Sequence, residues 1–256
     1  MAGDTHEVDI GDAGFLPPWS TLFEVVAATD MDDWILVGGL MVQLHAYRAN
    51  IPPSRITKDV DMVVDVASAK ASIQAVSGQL RTIGFEGEVP QTKSAPAYRF
   101  SRGKEQIDLM VPDELPPRIQ PRLMMRPAFG VVAGKQAIRR RDTFVVRSGT
   151  QTATLASPAV LGAIIVKGAA NQVDQRDAGR HLEDAALLLA SIEAVGKLDL
   201  VGLSKNDRKH LVRVAQMLPG SAAAWRQLDD VSRLRGQRQL ARLVLAAQLI
   251  VPVRRD

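Results

Sequence analysis

The sequence predicts an α+β fold, with a mixed sheet flanked by helices over residues 19–156 and a helical domain over residues 157–256. Two observations predict it. In the first part of the chain, short apolar runs such as "WILV" and "DMVV" alternate with segments of helical spacing, too irregularly for a barrel. At "SPAVLGAIIVKGAANQ" the composition changes, and from there almost every segment has helical periodicity.

Residues 1–18, beginning "MAGDTHEVDIGDAGF", read as a flexible arm; they are acidic and lack the basic-then-apolar layout of a signal peptide. "STLFEVVAA" has helical spacing, with Ser20 as its cap. "WILVGG" reads as a strand leaving a tight turn, and "LMVQLHAYRA" resumes the helical period. "DVDMVVDV" is the next strand, followed by a helix over residues 68–82. "AYRFSR" and "EQIDLMV", joined by "GK", read as a hairpin. "GVVAGKQAIRR" and "TFVVRSGTQTATL" are expected to supply further short strands. The helical part opens with Ser157 as cap and Pro158 as first helical residue. Further helices are expected over residues 178–194, 204–217, 221–230 and 237–250.

Composition excludes several classes. The chain has 256 residues, 46% of them apolar and 23% charged, an ordinary globular balance. No run of about 18 apolar residues is present, so no membrane span is expected. With no cysteine and four histidines there is no disulfide or thiolate site, and a His-rich zinc site is disfavoured. This fits a reducing, cytoplasmic setting. The net charge is only +4, but arginines cluster in "RIQPRLMMRP", "AIRRRD" and residues 226–255. Such clusters are either a solvated surface or a field that attracts a phosphate-rich partner. Eleven aromatic residues are too few for a base-stacking platform.

Three features carry chemistry. A strand that runs into Gly38 and Gly39 and then a helix leaves backbone N–H groups free at the helix start, a seat for phosphate; the same pair can equally be only a turn. Asp59 and Asp61 stand two residues apart in a strand, so their side chains share a face. There they repel each other unless a cation intervenes, and an oxygen-only ligand set favours Mg²⁺ or Mn²⁺. The bland reading is a solvated strand end. Asp108 lies in a second apolar strand; if that strand runs beside the first, three carboxylates can meet, as in two-metal phosphoryl-transfer sites.

In this order the features resemble the nucleotidyltransferase superfamily of DNA polymerase beta. Its signature is a Gly-Gly or Gly-Ser turn, a spacer, Asp-x-Asp and a distant third carboxylate. The resemblance implies a polymerase-beta-like core in which Asp59, Asp61 and Asp108 hold two metal ions and a nucleoside triphosphate, and the third carboxylate helps activate an attacking hydroxyl. "SPAVLGAIIVKGAANQVDQRDAGRHLEDAALLL" is similar to the segment after the catalytic core in AbiEii-type abortive-infection toxins and their mycobacterial MenT relatives. There Lys167 matches a helix-borne lysine and Asp184 an aspartate. "RITKDVD" resembles "R-x-T-x-D-[VIL]-D" of the same group, which draws in Arg55. Gly39 stands where many members have serine, and the spacer to Asp59 is longer than in compact members. The resemblance spans Trp34 to Leu189.

Each added residue also has a plainer reading. Lys167 can neutralise a triphosphate or merely snorkel from an apolar helix. Asp184 can orient Lys167 or Arg180, or be a surface acid. Arg55 and Lys58 can contact phosphate or nucleic acid, or pair with the strand aspartates. His45 and His181 read as structural. The resulting expectation is a metal-dependent nucleotidyltransferase that moves a nucleoside monophosphate from an NTP to a hydroxyl. By resemblance the acceptor is the 3′ end of tRNA, the role that of a toxin, and a cognate antitoxin a partner. The alternatives are transfer to a small molecule of the aminoglycoside kind or to a protein, and a catalytically silent binding module.

Overall fold

The computed structural model describes residues 3–53, 55–66, 72–174 and 176–251. The chain divides into two compact units, Met1–Leu44 with Ile56–Ala159, and His45–Arg55 with Val160–Asp256. It is an α+β protein with mixed sheets and helices.

The first unit opens with β1 (Thr5–Asp9), α1 (Trp19–Ala28) and β2 (Trp34–Val37). Next come α2 (Gly38–Arg48), whose residues from His45 group with the second unit, β3 (Asp59–Val64) and α3 (Ile73–Thr82). β4 (Glu86–Gly87), β5 (Arg99–Arg102) and β6 (Glu105–Pro112) follow, then the short β7 (Arg122–Leu123), β8 (Arg126–Pro127) and β9 (Gly130–Val131). α4 (Gly134–Arg139), β10 (Arg141–Ser148) and β11 (Gln151–Pro158) complete it.

The main sheet has the order β2-β3-β6-β5-β4, with β9 added to β6. β3 pairs antiparallel with β2 but parallel with β6, which makes the sheet mixed. β2 is buried at every position, as expected of a continuous apolar run in a strand covered on both faces. Its Trp34 indole donates to the Thr29 hydroxyl at 2.8 Å, so a fully buried Trp keeps its N–H satisfied. Phe85, Phe100 and Met62 are also fully buried.

The second unit contains α5 (Val160–Val173), α6 (Ala178–Ala190), α7 (Lys205–Met217) and α8 (Asp230–Ala246). α5 is buried almost all round, the signature of a central helix. Gly168 lets α7 approach it closely: a Cβ there would lie 2.6 Å from the His210 carbonyl oxygen. α7 starts with a capping box, Ser204 Oγ accepting from the Asp207 amide at 3.1 Å while the Asp207 carboxylate accepts from the Ser204 amide at 2.9 Å.

Several sequence expectations are corrected. The expected arm contains β1, which pairs parallel with β10 in a separate sheet of order β1-β10-β11. Its acidic residues alternate with Val8, which is buried against that sheet. Ser20 does not cap α1, whose N-cap is Pro18. "GKQAIR" is the helix α4 rather than a strand. Ser157 and Pro158 end β11; the Ser157 hydroxyl donates to the Leu36 carbonyl at 3.0 Å, a strand partner that competes with a capping role. Residues 221–230 give only a 3₁₀ turn, Ala223–Gln227, and the last helix starts earlier than expected, capped by Asp229. The stretch 45–55, expected within the sheet domain, groups with the helices. Residues 67–71, at the expected start of α3, lie outside the described residues.

Candidate metal centre

β3 begins at Asp59, and its i, i+2 spacing puts Asp59 and Asp61 on one face. Parallel pairing with β6 sets Asp61 directly beside Asp108, and neighbours in register point the same way. One ligand oxygen from each of the three carboxylates lies within 4.8 Å of the others. Three carboxylates on adjacent strands could therefore hold a metal ion.

The three carboxylates repel one another: like charges 4.8 Å apart repel by about 3.5 kcal/mol at an effective dielectric of about 20. Asp108 is only 7% exposed, and burial lifts its carboxyl above the ordinary range, with the charge of Asp59 adding to the rise. Arg99, its register partner on β5, works against this through a fork, Nε to Oδ1 and NH2 to Oδ2, both at 2.8 Å. The fork does not cancel the burial. It does hold the Arg99 guanidinium still more firmly protonated than usual. The buried Thr57 hydroxyl donates to Asp59 Oδ1 at 3.1 Å. Arg99 is bonded to one of the three carboxylates, and the donor set of the cluster is all oxygen. The residues fit a divalent cation of the Mg²⁺ or Mn²⁺ kind.

Gly38, the first residue of α2, is needed for a reason the sequence did not disclose. Its φ is +71°, and a Cβ there would lie 1.7 Å from Asp61 Oδ2. The Asp61 carboxylate thus occupies the space a side chain at 38 would take. Gly39 is buried in the first turn of the same helix, where amides have no intrahelical partner.

Lys58, next to Asp59, is exposed and makes no ion pair among the described residues. Asp65, further along β3's parity, meets Arg141 at 3.4 Å.

The remaining predicted residues meet in the second unit. Arg55 forks Asp184, Nε to Oδ1 at 2.9 Å and NH2 to Oδ2 at 3.0 Å. Lys167 Nζ reaches the same Oδ2 at 2.8 Å. Asp184 is 2% exposed and Lys167 5%, so this lysine does not snorkel to water; its ammonium is buried against a counterion. Burial pushes the Asp184 carboxyl upward, but Lys167 and then Arg55 outweigh it and bring the pKa down to about 2. Arg180 instead pairs with Asp177 at 2.9 Å. His181 is buried and bonded to Asp174 at 3.1 Å; burial, with help from the Lys167 charge, lowers its pKa. His45 is fully buried.

Arg99 was missed by sequence reasoning, although a signal existed. The two-residue Gly103-Lys104 turn joins Arg102 to Glu105, and counting back along the hairpin brings Arg99 opposite Asp108.

Among the described residues no helix is long and apolar enough to cross a membrane. No protein-family profile matches the chain. No curated protein matches it either. Among solved structures it is similar to an antigenic nucleotidyltransferase-like protein from Paracoccidioides brasiliensis, at 21% identity and a TM-score of 0.48, over 80% of this chain and 92% of that one. A likeness of that degree says nothing about activity.

Proposed function

We propose that this chain is a metal-dependent nucleotidyltransferase, moving a nucleoside monophosphate from an NTP to an acceptor hydroxyl. The observation that supports it is the convergence of Asp59, Asp61 and Asp108 within 4.8 Å, beside a helix start open only to glycine. The sequence resemblance to the polymerase-beta superfamily, set out above, points the same way.

Asp59, Asp61 and Asp108 would hold the divalent cations, which supply neutralisation of the triphosphate and polarisation of its reacting phosphoryl group. Thr57 fixes the rotamer of Asp59, and Gly38 lets Asp61 sit against the start of α2. The amides of Gly38 and Gly39 offer donors to phosphate oxygens. By the resemblance, Asp108 is the carboxylate that helps activate the acceptor hydroxyl. It takes the proton of the acceptor hydroxyl as that oxygen bonds to the α-phosphorus and the bond to pyrophosphate breaks. The resemblance also assigns Lys167 to the neutralisation of phosphate charge; Asp184 binds it and fixes Arg55. The exposed Lys58 is suited to an acceptor's phosphate backbone.

The finer assignment rests on the AbiEii and MenT resemblance: the acceptor is the 3′ end of tRNA, the protein a cytoplasmic toxin, and an antitoxin its partner. The test is incubation with each α-labelled NTP, Mg²⁺ and, in separate reactions, total tRNA, total protein or a small-molecule extract, with Asp61→Ala in parallel. We expect label on tRNA, reduced by about a thousandfold or more in the variant, as befits loss of a shared metal ligand. Label on protein or on small molecules instead would move the acceptor and keep the chemistry. No label on any acceptor would remove the enzyme reading.

A further inference from the structure

The Arg99 fork uses both oxygens of Asp108, the most buried member of the cluster. A cation that binds all three carboxylates must share those oxygens with a guanidinium or take them from it. The two side chains differ in freedom. That of Arg99 is 31% exposed and can turn toward solvent, whereas that of Asp108 is 10% exposed and is fixed on a central strand. Arg99 also interacts electrostatically with Asp59, so its charge acts on two of the three carboxylates. It lies 5.5 Å over the face of Tyr98, a contact that steadies a guanidinium without neutralising it.

Building on the metal centre proposed above, the geometry points to Arg99 as a resident counterion that competes with divalent cations for Asp108 and keeps the site's affinity for bare metal low. The guanidinium neutralises one carboxylate while the site is empty of metal. When a cation loads, it draws on the Asp108 oxygens that the Arg99 fork uses, and the two positive charges oppose each other there. Arg99 is thus a positioning residue whose charge sets how readily the site fills.

The experiment is a titration of the full-length protein with Mn²⁺ alone, read by calorimetry and by the electron paramagnetic resonance of free Mn²⁺. Wild type, Arg99→Lys, Arg99→Gln and Asp61→Asn are compared. Arg99→Gln removes the charge and is expected to bind Mn²⁺ about tenfold more tightly or better, since a like charge leaves the site. Arg99→Lys keeps the charge but lacks the fork, and should fall between wild type and Arg99→Gln. Asp61→Asn should lose binding. A purely structural role for Arg99 would weaken binding in both Arg99 variants, and that result, or unchanged affinity in both, overturns the inference while leaving the metal centre standing. No binding by wild type or by any variant overturns the metal centre itself, and this inference with it. If Arg99→Gln does not fold, Arg99→Lys decides alone: a few-fold gain supports the competition, and equal or weaker binding refutes it.

Discussion

Asp184→Ala is expected to destabilise the protein by about 3–5 kcal/mol, the cost of removing one partner from a buried ionic group. The carboxylate is 2% exposed and satisfies two cations at once, Lys167 at 2.8 Å and Arg55 through a fork. Without it the Lys167 ammonium, in a residue only 5% exposed, has lost its counterion. The double variant Lys167→Met with Asp184→Leu should cost less than Asp184→Ala alone. It removes the more deeply buried of the two stranded charges and refills the volume, leaving only the partly exposed Arg55. Chemical denaturation of the three proteins measures the difference. A double variant less stable than the single one would show that the charges, not the packing, hold these helices.

The same carboxyl predicts a pH dependence. Its folded pKa, about 2, lies below the unfolded value of 3.8, so the proton binds the unfolded chain more readily. The stabilisation is therefore complete above about pH 4 and is lost as the pH falls through about 2, an effect of about 2 kcal/mol. The stability gap between wild type and Asp184→Ala should narrow across that window.

Gly38→Ala is the second large effect. The residue has a φ of +71°, a conformation that costs a side-chain-bearing residue about 1–3 kcal/mol. In addition the new methyl group would collide with Asp61 Oδ2 at 1.7 Å, so Asp61 must leave its place. We expect a loss of about 2–3 kcal/mol in stability and at least a tenfold loss in Mn²⁺ affinity, since a displaced ligand no longer meets the other two. Gly78→Ala is the control: Gly78 lies in α3 with open space around it, and alanine there should stabilise by about 0.5–1 kcal/mol. Equal Mn²⁺ binding by Gly38→Ala and wild type would mean that Asp61 is not a ligand.

Much of the site could be read from local spacing. Two aspartates at i and i+2 in a valine-rich strand must share a face, and a hairpin closed by a two-residue turn has its register set by counting. Arg99 was within reach of that count. What spacing could not supply was the adjacency of β3 and β6. A parallel pair has no short connection to announce it, and more than forty residues separate Asp61 from Asp108 along the chain. β1 was misread for the same reason: its parallel partner, β10, lies far along the sequence, and five residues with three acids among or beside them carry little periodicity. Ser157 and Pro158 matched a helix-start pattern, but pairing with β10 and the Leu36 carbonyl offered a better use of the same atoms. Gly38 was expected to be glycine so that an anion from outside could reach the backbone; the structure gives a second reason, the carboxylate of Asp61 packed where a side chain would stand.

The division of the chain has a consequence for its modularity. The second unit draws on residues 45–55 as well as on everything from 160 onward, and Arg55 is bonded to Asp184 across that gap in sequence. The backbone therefore crosses from one unit to the other three times. The helices cannot be lifted out as a transplantable cassette, because a gene cut at residue 159 separates Arg55 from its carboxylate. Recombination that exchanged only the C-terminal part would bring together halves whose buried charges were never matched, so the two parts are bound to be inherited as one.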